Sequence, residues 1–237
     1  MKLSIATNTL RCISHLGKGR LQLLLEHGAD IEAQHCNDNT PLHFAAWQGK
    51  PSTSVKKLLE HGARIDAQDT YSWTPLHRAS WREYDPDVME LLLEHGADIE
   101  ARTCDDDTPL HLAAWQGKVA SVQKLLEHGA WIDARNRYSR TPLHHASWNG
   151  HPNVTVHPLL EHGADIETQT RHGNTPLHLA VWQGNVETIQ MLLMHRAMIH
   201  TWNKRHCIQS TLHYITGILT SHSSHREQSN TVGILYL

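Results

Sequence analysis

The feature that limits this chain most is a ten-residue phrase written five times at an almost constant interval. It reads TPLHFAAWQG from Thr40, TPLHRASWRE from Thr74, TPLHLAAWQG from Thr108, TPLHHASWNG from Thr141 and TPLHLAVWQG from Thr175. The threonines are 34, 34, 33 and 34 residues apart. A second phrase keeps the same beat: LLLEHGADIEA from Leu23, LLEHGARIDA from Leu58, LLLEHGADIE from Leu91, LLEHGAWIDA from Leu125 and LLEHGADIET from Leu159. A weaker copy, LLMHRAMIHT, begins at Leu192. A unit this short cannot bury its apolar face alone, so copies at a fixed period must stack on one another.

The phrases also spell out their own local structure. Thr40 suits an N-cap, its hydroxyl able to accept from a free amide, and Pro41 suits the first helical position, where its missing N–H costs nothing. Leu42, Ala45 and Ala46 then predict a short first helix with small residues that let neighbours approach, ended by Gly49. Val55, Leu58 and Leu59 share one face of a second helix. Gly62 is placed for the left-handed closing conformation. Residues 63–73 are expected to swing out as a hairpin-like connector to the next Thr-Pro. Pro158, in HPLLEHG, falls inside an expected second helix, where a proline predicts a late start or a kink.

The TPLHxA phrase and its period resemble the ankyrin repeat. The resemblance covers about residues 8–215 and implies an all-α fold, an ankyrin-repeat solenoid of stacked helix-turn-helix units joined by β-hairpin-like connectors. The expected divisions are a degenerate first repeat at 1–39, five repeats at 40–73, 74–107, 108–140, 141–174 and 175–209, and a truncated repeat with a disordered tail at 210–237. EHGADIEA and ASWNGH are similar to the ankyrin arrays of filamentous fungi, which often belong to larger multidomain proteins. The apolar ending TVGILYL fits no capping pattern, as expected for a fragment of something longer.

Chemistry is hard to find in the sequence. Of 22 histidines, six stand in the TPLH place or its faint last echo (His43, His77, His111, His144, His178, His213). Six more close second helices (His27, His61, His95, His128, His162, His195). The resemblance implies that the TPLH histidine links its threonine to the neighbouring connector. The scattered remainder forms no HExxH or other ligand spacing, and no GxSxG, GxxxxGK[ST] or GxGxxG occurs. Asp105-Asp106-Asp107 reads as a solvated connector tip. Cys12, Cys36, Cys104 and Cys207 are too far apart for a disulfide framework or a zinc module. No catalytic residue, metal or cofactor is expected. A formal net charge of -3 argues against a nucleic-acid partner. No apolar run approaches the roughly 20 residues of a membrane span. A monomer in the cytoplasm or nucleus is the expectation.

Binding residues are sought where the frame varies or carries large rings. The eighth place of the phrase is always tryptophan: Trp47, Trp81, Trp115, Trp148 and Trp182. By resemblance this place lies on the concave side and contacts ligands; the competing reading is that each ring braces its neighbour, and both can hold. Rings on successive first helices are expected roughly 8–10 Å apart. The connector tips add Tyr71, Trp73, Arg137, Tyr138, Arg140 and Arg171, residue types enriched in binding hot spots. The function expected is non-enzymatic binding of a protein partner through the concave face and connector tips. A second reading is a fragment that serves as sensor or scaffold of a larger multidomain signalling protein. A third, from another class, is a histidine-dependent metalloenzyme.

Overall fold

A computed structural model describes residues 28–35, 37–48, 52–82, 86–152 and 156–198. Most of the expected first repeat, the Gly49 stop and everything after residue 198 lie outside the described residues. Within them the regular elements are helices, in five pairs with no strand between: α1 (Pro41–Gln48) and α2 (Ser52–Glu60), α3 (Pro75–Trp81) and α4 (Pro86–Glu94), α5 (Pro109–Gln116) and α6 (Val119–Glu127), α7 (Pro142–Asn149) and α8 (His157–Glu161), α9 (Pro176–Gln183) and α10 (Val186–Met194). Each first helix packs on the first helices before and after it, and the second helices from α2 to α8 make a parallel row. The core runs between the rows as a column of Leu42, Leu76, Leu110, Leu143 and Leu177 opposite Leu58, Leu92, Leu125, Leu159 and Leu192, all fully or almost fully buried. Each such leucine contributes roughly 1.5–3 kcal/mol through burial.

The TPLH phrase works through its histidine. The amide of Thr40 donates to His43 Nδ1 at 3.1 Å, and the Thr40 hydroxyl lies 2.9 Å from the same nitrogen. Nδ1 is therefore an acceptor, and the one proton of the neutral ring sits on Nε2. Nε2 donates across the junction to the carbonyl of Trp73 at 2.8 Å. The same bridge runs from His77 to Asp107, His111 to Arg140 and His144 to Asn174, at 3.0–3.1 Å. At Thr74, Thr108, Thr141 and Thr175 the hydroxyl also faces the third helical amide, closest at Thr74 at 3.4 Å, so each start is a reciprocal capping box in which histidine answers the threonine.

Second helices close as expected. At Gly62 (φ 85°) the amide of Ala63 reaches the Leu58 carbonyl at 3.0 Å and that of Gly62 reaches Leu59 at 2.9 Å, the pair of bonds that ends a helix through a left-handed residue. Arg196 takes the same conformation, φ 67°, without glycine's freedom. His61, His95 and His162 donate from Nδ1 to the carbonyl four residues back, each at 2.8 Å. Helix α8 starts late, as Pro158 predicts: it has 5 residues where α6 has 9. Just before it, the Val156 amide reaches the carbonyl of His151, five residues back, a π-type bond.

Two bond ladders tie the connectors. Glu32, Asp66, Glu100, Asp133 and Glu167 accept from the amides of Arg64, Asp98, Trp131, Asp165 and Met198 in the following unit, at 2.6–3.2 Å. At the tips, Thr70, Cys104, Arg137 and Arg171 donate through their amides to the carbonyls of Asn37, Tyr71, Asp105 and Tyr138, at 3.0–3.2 Å. Each tip turns through a left-handed residue, Asp38, Ser72, Asp106, Ser139 and Gly173 in succession. The connectors are thus hairpin-like in their hydrogen bonds.

Candidate functional site

The first helices and the connector tips share one face, and between them lies a groove of about 580 Å³. The tips supply Asn37, Tyr71, Trp73, Thr103, Cys104, Asp105, Asp107, Asn136, Tyr138 and Arg140; the helices supply Arg78, Trp81, Leu112, Trp115 and His145. Six of the eleven residues singled out from the sequence therefore meet in one hollow: Tyr71, Trp73, Trp81, Trp115, Tyr138 and Arg140. The other five stand outside it. Trp47 lies under the guanidinium groups of Arg78 and Arg82, 5.0 and 4.6 Å from the ring centre. Trp148 has Arg140 at 5.8 Å and Trp182 at 6.1 Å. Trp182 is 64% exposed, Arg137 pairs with Asp105 at 3.0 Å, and Arg171 is exposed at its tip.

The five eighth-place rings do not form an even ladder. The Trp148–Trp182 spacing of 6.1 Å is shorter than one helix-packing distance, because the rings lean toward each other. Trp81 meets Trp73 at 5.4 Å edge-on. Trp47 and Trp115 are instead covered from the next unit by the residue that follows TPLH, Arg78 at 5.0 Å and His145 at 5.1 Å. Bracing and display coexist: four of the rings are half-buried and Trp182 is open.

That fifth place carries a signal missed in reading the sequence. It holds Phe44, Arg78, Leu112, His145 and Leu179, each nine residues after a matched place at the base of the connector tip: His35, Asp69, Thr103, Asn136 and Thr170. His35 and Phe44 stack edge-on at 5.8 Å. Arg78 makes an ion pair with the fully buried Asp69 carboxylate and lies 4.7 Å over the Trp73 ring. Asn136 Nδ2 lies 3.3 Å from His145 Nε2. Asp69 and Asn136 also accept from the tip amides, Tyr71 and Trp73 in one case and Tyr138 and Arg140 in the other, at 2.8–3.0 Å. Lining up the five copies position by position exposes this pairing without any structure.

The solvated reading of the aspartate run holds for part of it only. Asp105 is about half exposed, but the Asp107 side chain is 14% exposed. Asn136 donates to its Oδ1 at 2.7 Å, and His145 Nε2 stands 3.7 Å away. Burial pushes the Asp107 carboxyl up to about 6, against the stabilising bond from Asn136. Burial likewise holds His145 well below the usual histidine range, so the ring beside it is neutral.

His43, His77, His111 and His144 are occupied on both ring nitrogens by the bridge already described. Among the described residues no three histidine, cysteine or acidic side chains come together in a way that could hold a metal ion. No helix among them is long and apolar enough to cross a membrane.

No curated protein matches the chain. A family model described as ankyrin repeats, three copies, matches residues 11–103, 84–170 and 110–203. The match is to ankyrin repeats in general and does not single out the fungal arrays. With those segments running together from residue 11 to 203, and with the stacked helix pairs and bridging histidines above, this chain belongs to the ankyrin-repeat family.

Proposed function

We propose that the chain is a non-enzymatic module that binds another protein through the face built from first helices and connector tips. Ankyrin repeats are in general protein–protein interaction modules. The observation that carries the reading to this face is the groove, which gathers Tyr71, Trp73, Trp81, Trp115, Tyr138 and Arg140 around one hollow. Half-exposed Trp and Tyr offer large rigid contact area together with an N–H or O–H donor. A frame of neutral, doubly bonded histidines holds the units in register beneath it, so the surface is set before a partner arrives.

The test compares three tryptophans. Affinity capture with the intact chain supplies the partner, and melting and affinity are then measured for Trp115→Ala, Trp47→Ala and Trp182→Ala. Trp115 lines the groove and the other two do not. Trp115→Ala is expected to weaken binding at least about tenfold, roughly 1.4 kcal/mol, with a smaller loss of folding stability. The other two variants should bind nearly as well as the natural chain. If Trp115→Ala unfolds the array yet leaves affinity per folded molecule unchanged, the ring is a brace and the reading is wrong.

A further inference from the structure

The groove lies where a side chain that fills the corresponding space one unit earlier is missing. In the second unit that space holds Arg78. Its guanidinium lies over two rings, 5.0 Å from the centre of Trp47 on the preceding helix and 4.7 Å from that of Trp73 on its own connector, and it is paired with Asp69. In the third unit the preceding helix still offers a tryptophan, Trp81, but the fifth place is Leu112 and the connector begins with Thr103 instead of an acid. The place of the Trp73 ring is taken by Asp107. An apolar residue and a short hydroxyl thus replace the arginine and its carboxylate, and both line the hollow. At its edge stands a carboxylate, mostly buried, with which no lysine or arginine among the described residues makes an ion pair.

We propose that this groove takes an arginine side chain of the partner protein, laid over Leu112 in the place that the chain's own Arg78 fills one unit earlier, with its guanidinium on the Trp81 ring and the Asp107 carboxylate. The inference rests on the binding reading above and names the chemistry of the partner. A planar guanidinium suits such a site because it stacks on an aromatic face and bonds a carboxylate through two N–H groups at once. The face already packs arginine on tryptophan or tyrosine elsewhere: Arg82 on Trp47 at 4.6 Å, and Arg140 on Tyr138 and Trp148 at 5.6 and 5.8 Å. The cation would also offset the burial of a carboxylate that is otherwise supported by the Asn136 amide. Asp107 has Asp105 and Asp106 of its own tip, and Arg140, Asn136 and His145 of the next unit, as its facing groups. Of these, only Arg140 is a fixed cation, and it is held on its two rings.

The probe is a short peptide, acetyl-Gly-Arg-Gly-amide, titrated into the full-length chain while the indole N–H resonance of Trp81 is followed. That resonance is assigned from its disappearance in Trp81→Phe. A saturable shift is expected with the arginine peptide, and at least a fivefold weaker one with the isosteric, uncharged citrulline peptide. Asp107→Asn should weaken the arginine peptide by a similar factor, while Asp105→Asn, at the half-exposed rim, should not. Thr103→Asp with Leu112→Arg rebuilds the internal plug and should abolish the shift; Leu179→Arg, at the fifth place outside the groove, should preserve it. No saturable shift in the natural chain, equal binding of the citrulline peptide, or unchanged affinity in Asp107→Asn each overturns the proposal. Those outcomes leave the broader reading intact, since it is decided by the intact partner on Trp115→Ala.

Discussion

At the scale of single residues, the bridging histidines make the fold sensitive to acid. Their Nδ1 accepts from a backbone amide, so a second proton would set one N–H against another. Burial therefore holds His77, His111 and His144 at about 4 and also lowers His43, against the opposing pull of their carbonyl bonds. The unfolded chain takes up its protons near 6.5. The stability these residues contribute is thus complete above about pH 6.5 and is lost as pH falls toward 4, on the order of 3 kcal/mol for each of the three. Asp107, pushed up to about 6, binds its proton first in the folded state and offsets part of that loss. Thermal midpoints measured from pH 7 to 4 should fall across this window; a flat profile would mean that the rings are protonated where they stand. Arg196 offers a simpler check. It sits at φ 67° where the other second helices close on glycine, and Arg196→Gly should raise stability by about 1 kcal/mol in chemical denaturation. That substitution site was legible from the sequence, because the closing place was already marked by five glycines, Gly28, Gly62, Gly96, Gly129 and Gly163. The matched pairs such as Arg78–Asp69 and Asn136–His145 were not seen. Each partner reads as an ordinary polar residue until the copies are aligned, and side-chain partners nine residues apart obey no helical or strand period.

At the scale of elements, the Thr-Pro start, the alanine-rich first helix and the glycine stop were all readable, since each is a local steric preference. A Cβ on Gly117, for example, would lie 2.8 Å from the His151 ring besides facing a left-handed φ of 71°. The short α8 was readable too, because proline can stand only in the first turn. What the sequence did not show is how little Pro158 costs once the helix starts at His157. The interior penalty of about 3 kcal/mol applies to a proline with a carbonyl waiting four residues back; here Pro158 stands in the first turn of its helix, and Val156 just before it is bonded to His151. Pro158→Leu should therefore change the thermal midpoint little, by less than about 1 kcal/mol in stability. A gain near the full interior value would place Pro158 in the body of a nine-residue helix instead.

At the scale of the whole molecule, adjacent units are joined through the leucine columns, the histidine bridges and the two connector ladders. Stability in such an array is a sum of unit and junction terms, and that much follows from the period alone. The groove does not, because it depends on what one unit lacks relative to the one before. Deleting residues 108–140 removes α5, α6 and one connector and joins Asp107 to Thr141. The new junction keeps its principal bonds: His77 still faces the Asp107 carbonyl, and His144 still faces Asn174. The leucine columns continue through Leu76 to Leu143 and Leu92 to Leu159, so the shortened chain should fold. It should show helical circular dichroism per residue close to that of the natural chain and a lower midpoint. Its binding face, however, is altered at the centre. Trp115, Leu112, Tyr138 and Arg140 are gone, and the bulkier His145 follows Trp81 in the place where Leu112 left room. Folding should therefore survive while partner binding is lost. Loss of helical signal on this deletion would contradict the modular array, and a folded deletion that still binds at natural affinity would move the binding site away from the groove.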